Sequence, residues 1–189
     1  MRRRLILCTI GIGVVLALAA TALAATRIRG TGHADVITGT PGNDVIHARA
    51  GNDTVRALDG NDRVYAGAGD DTVDAGAGND FVRGGPGADT IEGGDGNDVL
   101  RGRHGDDTVD GGAGDDRLWA GSGVDKEYGG DGDDVLHALA NDNQVDTLDC
   151  GPGNDTVWLN SAEHDIAVNC ETVKSVTIST AQANAQDNG

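Results

Sequence analysis

A nine-residue unit recurs twelve times in unbroken succession from Gly30 to His137, with an aspartate at its sixth place every time. The unit reads Gly/Ala-x-x-Gly-x-Asp-x-(Val/Ile/Leu)-x, and Gly93-Gly94-Asp95-Gly96-Asn97-Asp98-Val99-Leu100-Arg101 is a full copy. A period this strict points to a solenoid, in which each unit meets only its neighbours in the stack and repeats the same contacts. Two units make one flattened coil of 18 residues, so the expected fold is all-β, a parallel β-solenoid. The first six residues of each unit, rich in glycine, are expected to turn. The last three are expected to form a short strand with one aliphatic side chain inward.

Composition calls for a cation. The chain holds 31 Gly and 31 Asp+Glu against 3% aromatics, and each unit offers one large apolar side chain. Such a chain buries too little to offset its conformational entropy in plain water. Its acidity argues against nucleic acid and anionic membrane surfaces as partners and favours a cationic ligand. Oxygen from carboxylates and carbonyls suits Ca2+; the units contain no thiolate and few histidines for a transition metal.

Met1-Arg2-Arg3-Arg4, the apolar run from Leu5 to Ala20 and the small-x-small Ala22-Leu23-Ala24 read as a cleaved secretory signal over residues 1–24. The run is short and broken by Gly11 and Gly13, which argues against a retained membrane anchor. Cys8 precedes most of it, where a lipid-modified cysteine would follow. The mature chain is therefore expected outside the cell with no membrane span. Losing Arg2, Arg3 and Arg4 takes its formal charge from −17 to −20.

Residues 25–29 form a lead segment and residues 30–158 the repeats, interrupted by Ala138-Leu139-Ala140. Asn141 to Asp149 is a degraded thirteenth unit, with Gln144 where glycine belongs, and Cys150 to Trp158 is a fourteenth. Residues 159–178 are expected to cap the stack and residues 179–189 to be a flexible polar tail. Once Cys8 leaves with the signal, Cys150 and Cys170 form an even pair, expected to be a disulfide worth roughly 3 kcal/mol.

Stacking sets the sixth-place carboxylates in two columns. One holds Asp44, Asp62, Asp80, Asp98, Asp116 and Asp134; the other holds Asp35, Asp53, Asp71, Asp89, Asp107 and Asp125. Fourth-place glycines (Gly42, Gly51, Gly60, Gly69, Gly78, Gly87, Gly96, Gly105, Gly114 and Gly132) allow tight turns whose carbonyls add oxygen ligands. One ion per adjacent pair gives about five sites in each column, about ten Ca2+ in all, whose charge offsets that of the mature chain.

This unit resembles the nonapeptide of RTX, or haemolysin-type, calcium-binding proteins, and the resemblance covers about two-thirds of the chain. It implies a right-handed parallel β-roll holding Ca2+ between successive turns. Three ligands are expected to be weaker: Asp35, whose unit has His33 for glycine, Asp125, and Asp155 in the detached fourteenth unit. Units with Arg49, Leu58 or Arg103 in second place are expected to bind less tightly. The unit from Ala120 departs furthest, with Val124 in place of Asn or Asp and Glu127 at the inward position. A buried Glu is costly, and a slip that turns Tyr128 inward is one escape.

Places seven and nine point outward. One face carries Thr54, Thr72, Thr90 and Thr108 beside Asp74, Glu92 and Asp110. The other carries Tyr65, Phe81, Arg83, Arg101 and Trp119 with His47, Val99 and His137. That second face is either ordinary solvated surface or a contact surface for an anionic polysaccharide or for the acidic face of another copy. No HExxH or Gly-x-Ser-x-Gly occurs, and the five-residue lead leaves no room for a fused catalytic domain, so no enzyme activity is expected. The function expected is a secreted calcium-binding protein that folds outside the cell, with a structural or adhesive role in the envelope or matrix. The alternative is an accessory module for a separately encoded secreted enzyme.

Overall fold

The structure is a computed structural model that describes residues 25–177. The expected signal segment and the whole of the expected tail lie outside the described residues. Among the described residues seventeen strands alternate between two parallel sheets, one of nine strands and one of eight. Each strand pairs with the strand one coil on, so Val64 stands beside Val82 and Val82 beside Leu100. The molecule is a β-solenoid of 18-residue coils, the fold that the repeat period demands.

The division of each unit differs from the sequence expectation. A typical strand, Arg63–Ala68, begins at place seven and runs on through places one to three of the next unit, leaving a three-residue turn. Small residues at places one and two keep the chain in the strand because its backbone still finds partners in the neighbouring coil; at place two Gly76 pairs with Gly94 and Gly94 with Gly112. Burial alternates along the six residues, so each unit sends two side chains inward. One is the eighth-place aliphatic. The other is the small first-place residue, and Ala48, Ala57, Ala66 and Ala75 are buried completely. The core is therefore a double file of Val, Ile and Leu flanked by files of Ala or Gly. Larger side chains at place one would collide with the turn, since a Cβ on Gly84 would lie 2.2 Å from a carboxylate oxygen of Asp89.

The stack extends at both ends of the twelve regular units. The lead forms β1 (Thr26–Arg29), which pairs with residues 44–47. The three-residue insertion shifts the register without breaking it: Leu136 pairs with Val157, and Glu127 with Leu148. Leu139, within the insertion, is itself buried. Ile166–Val168 and Thr172–Val176 add one further strand to each sheet, so the expected cap continues the coil. Cys150 and Cys170 are joined as a disulfide with their α-carbons 5.2 Å apart, fastening this last coil.

The irregular unit takes the costly option. No slip occurs: Tyr128 stays outward and Glu127 points into the core, 1% exposed. Its Oε1 accepts a hydrogen bond from the Ala120 N–H at 2.5 Å. Burial pushes the Glu127 carboxyl up to about 8, so the side chain is neutral in the fold at neutral pH. An unfolded Glu ionises near 4.3, so the native chain loses stability as pH rises from about 4 to about 8 and then levels off. Glu127→Gln keeps the acceptor and cannot ionise. The variant is expected to match the parent near pH 4 and to gain on it progressively up to about pH 8, by roughly 5 kcal/mol. Parallel Tm curves across that range would contradict this account.

Candidate metal centre

Every sixth-place aspartate is buried. From Asp53 onward each uses Oδ1 to accept a hydrogen bond from the backbone N–H of the aspartate one coil earlier, while Asp44 Oδ1 accepts from Thr26 N–H. Asp62 N–H donates to Asp80, Asp80 N–H to Asp98 and Asp98 N–H to Asp116, each at 2.7 Å. In the other column Asp53 N–H donates to Asp71 at 2.8 Å, Asp71 to Asp89 at 2.9 Å and Asp89 to Asp107 at 2.7 Å. The spacing rule thus brings together the two columns that the sequence groups by period.

Both columns run past the regular units, through Asp155, expected from the sequence as a weaker ligand, and through Asp146, Asp165 and Glu171, which lay outside the expected ligand set. Asp125 N–H donates to Asp146 and Asp146 N–H to Asp165. Asp134 N–H donates to Asp155 at 2.8 Å, and Asp155 N–H to Glu171 Oε2 at 2.8 Å. The available signal was that Asp146 and Asp155 each follow a repeat aspartate by 21 residues, one coil plus the insertion. Nothing in the local sequence marks Asp165 or Glu171. A second ladder runs the other way at place five, where Asn61 N–H donates to Asn43 Oδ1 and Asn79 N–H to Asn61 Oδ1.

The second carboxylate oxygen is the unusual atom. From Asp53 to Asp116, and again at Asp134, Asp155 and Asp165, Oδ2 is buried and accepts no hydrogen bond. Buried polar atoms are almost always partnered, and a carboxylate oxygen left bare is among the most costly exceptions. The first two units avoid the problem. Thr31 N–H and Oγ1 donate to Asp35 Oδ2, and Thr40 N–H and Oγ1 donate to Asp44 Oδ2.

Electrostatics agree with that cost. Burial pushes the carboxyls of Asp62, Asp89, Asp98 and Asp116 up to about 7, that of Asp107 to about 9 and that of Asp146 to about 8. The N–H donated from the preceding coil opposes the shift, and the neighbouring carboxylates add to it; for Asp107 these are Asp125 and Asp89. A proton or a cation must satisfy this column.

Fourth-place carbonyls form a second file of oxygens. The Gly60 carbonyl oxygen lies 2.0 Å from where a Cβ on Gly78 would sit, and Gly78 relates to Gly96 in the same way at 2.1 Å. With φ near +131° at both glycines, the turn presents a file of carbonyls along the roll. Among the described residues no three His, Cys, Asp or Glu side chains converge to hold a metal. An ion here would draw on a few carboxylate oxygens and several carbonyls, an all-oxygen set that fits Ca2+.

A family model for the RTX calcium-binding nonapeptide repeat matches residues 29–64, 56–91, 83–118, 92–127 and 119–157. The chain belongs to that family. No protein of curated function matches the chain significantly. RTX repeats bind Ca2+, which is the ligand that the bare Oδ2 atoms and the carbonyl files suit.

Within the regular RTX units, second place is strained in three of the five units that lack glycine there, the exceptions being Thr31 and Thr40. Arg49, Leu58 and Arg103 adopt φ of 94°, 84° and 99°, where regular copies have Gly. A side chain in this region costs about 1–2 kcal/mol. Arg49 is exposed, so Arg49→Gly is expected to stabilise the calcium-loaded roll by about 1 kcal/mol, while Arg49→Ala, which keeps its Cβ, gains nothing. Thermal melts of the two variants check this.

On the outer surface of the nine-stranded sheet the expected partner-face residues fall into two adjacent files, Phe81 in one and Tyr65, Arg83, Arg101 and Trp119 in the other. His47 stacks on Tyr65 with ring centroids 4.7 Å apart, and Tyr65 meets Phe81 at 6.0 Å. The Arg101 guanidinium lies over both Phe81 and Trp119, and Arg83 stands between Tyr65 and Arg101 in the register. Trp119 stacks on His137 at 4.6 Å, and Lys174 lies 4.5 Å over Trp158. Burial, with Arg101 and Arg117 nearby, pushes His137 down to about 4, so it stays neutral in this cationic file.

Proposed function

We propose that this RTX roll is exported, folds on binding several Ca2+ outside the cell, and serves there as a structural or adhesive part of the envelope or matrix. The column of buried, unpartnered Oδ2 atoms carries the reading. Without a cation the stack brings bare carboxylates into register one coil apart, where they repel one another. At low internal Ca2+ the chain stays extended and exportable; at millimolar external Ca2+ binding energy becomes folding energy.

The ions would be held by Asp53, Asp62, Asp71, Asp80, Asp89, Asp98, Asp107, Asp116 and Asp134, with carbonyls of the fourth-place glycines. Asp155, Asp146 and Asp165 extend the columns, and Asp35 and Asp44, already served by threonines, would bind less tightly. The Arg2–Arg4 and Leu5–Ala20 pattern of an export signal supports secretion.

Far-UV circular dichroism of metal-free protein titrated with Ca2+ tests the proposal. A cooperative gain of β signal at about 0.1–1 mM Ca2+, and none with Mg2+, is expected. Full β structure in chelator, unchanged by Ca2+, would sink it.

A further inference from the structure

The roll's charges are sorted by sheet. Every Lys and Arg among the described residues, except Arg56 and Lys126, lies on a strand of the nine-stranded sheet. Apart from the inward Asp44, the strands of that sheet contain no Asp or Glu. A chain of net charge −17 thus presents one face whose outward strand charges, among the described residues, are all cationic, beside aromatic and aliphatic side chains. The opposite sheet carries Asp74, Glu92 and Asp110 on successive rungs, outside the metal columns.

Each face sets like charges side by side, relieved on the acidic sheet at the rung where Arg56 Nε lies 3.1 Å from Asp74 Oδ2. Arg83 and Arg101 are register partners on one sheet, as Asp74 and Glu92 are on the other. Like charges directly opposite one another destabilise a sheet. The two mismatches fall on the same coils with opposite sign, because Asp74 and Arg83, like Glu92 and Arg101, lie one nine-residue unit apart.

The ring geometry also selects the occupant. His47 on Tyr65 and Trp119 on His137 are stacked within 8° and 5° of parallel, so ring faces point along the roll and ring edges point outward. A sugar ring stacks on an exposed aromatic face. An outward edge is electropositive and favours a carboxylate instead.

We propose that the cationic, aromatic face of the nine-stranded sheet docks the acidic outer face of the eight-stranded sheet of a second copy. Translation of one roll against the next, with no shift along the axis, sets Arg83 against Asp74 and Arg101 against Glu92. Both faces share the rung spacing of about 4.8 Å, so the match repeats along the stack. Nine strands at that spacing, each about 20 Å long, give a contact burying about 1,500 Å2 in total, the size of a specific interface. The contact is heterologous and does not close, so copies add laterally into a ribbon. This inference rests on the calcium-loaded roll proposed above.

Sedimentation velocity of the purified protein in saturating Ca2+, with circular dichroism on the same samples, tests it. Concentration-dependent association is expected at about 0.05 M NaCl and its loss at about 1 M, where screening is short-ranged. The double variant Arg83→Glu, Arg101→Glu and the double variant Asp74→Lys, Glu92→Lys are each expected to stay monomeric while keeping the calcium-dependent β signal. Mixed together, they are expected to associate again, because the reversed faces now complement one another. A folded parent that stays monomeric, or a mixture that does not reassemble, overturns the docking and leaves calcium-driven folding standing. A folded monomer that instead shifts on adding an anionic polysaccharide such as polyuronate overturns it in favour of a glycan. A chain that stays unfolded in Ca2+ removes both proposals.

Discussion

In chelator the chain is expected to be unfolded near pH 8 and to regain β structure, without any metal, on acidification to about pH 4–5. Burial holds the folded carboxyls of Asp62, Asp89, Asp98 and Asp116 at about 7 and that of Asp107 at about 9. In the unfolded chain the same groups ionise near 3.9. Each group binds more protons folded than unfolded between those limits, so each favours the metal-free roll fully below about pH 4. That contribution falls as pH rises through the folded values. Many groups move together, which makes the effect large. Acid here does to the columns what Ca2+ does at neutral pH: it removes the uncompensated negative charge. Circular dichroism against pH in chelator, with light scattering to detect aggregation, measures it. A metal-free chain that stays unfolded down to about pH 3 would show that protons cannot stand in for the cation.

Asp98→Ala is expected to weaken the calcium-loaded roll by about 3 kcal/mol and to lower the bound Ca2+ by up to two ions. Asp98 sits mid-column: its Oδ1 takes the N–H of Asp80, and its own N–H serves Asp116. Removing its carboxylate orphans a buried donor and strips oxygens from the gaps on both sides. Asp35→Ala lies at the open end, where Thr31 already serves the carboxylate, and is expected to cost less than about 1 kcal/mol. Calorimetric stoichiometry and calcium-saturated melts of the pair separate the two cases. Equal losses would mean that the columns do not act as stacked sites.

Coil length, the membership of both aspartate columns and the inward aliphatic file were all legible in the sequence. In a solenoid each residue's main partner lies one period away, so counting residues locates contacts without knowing any angle. The cysteine pairing was legible for a simpler reason, since two cysteines of the expected mature chain leave one pairing.

Angles and burial were not legible. The strand proved twice as long as the aliphatic pattern indicates, because glycine at places one and two extends when a neighbouring coil offers hydrogen bonds, and composition cannot report that offer. Glu127 stayed inward because Ala120 N–H gives it a partner and burial keeps it neutral, a balance fixed by atoms on the opposite wall. Asp165 and Glu171 join the columns only through coils where the nine-residue count has lapsed. The repeat determined which residues share a column, because period alone sets neighbours in a stack. The tertiary structure decided which carboxylate oxygens lack a donor, because that depends on where each N–H points.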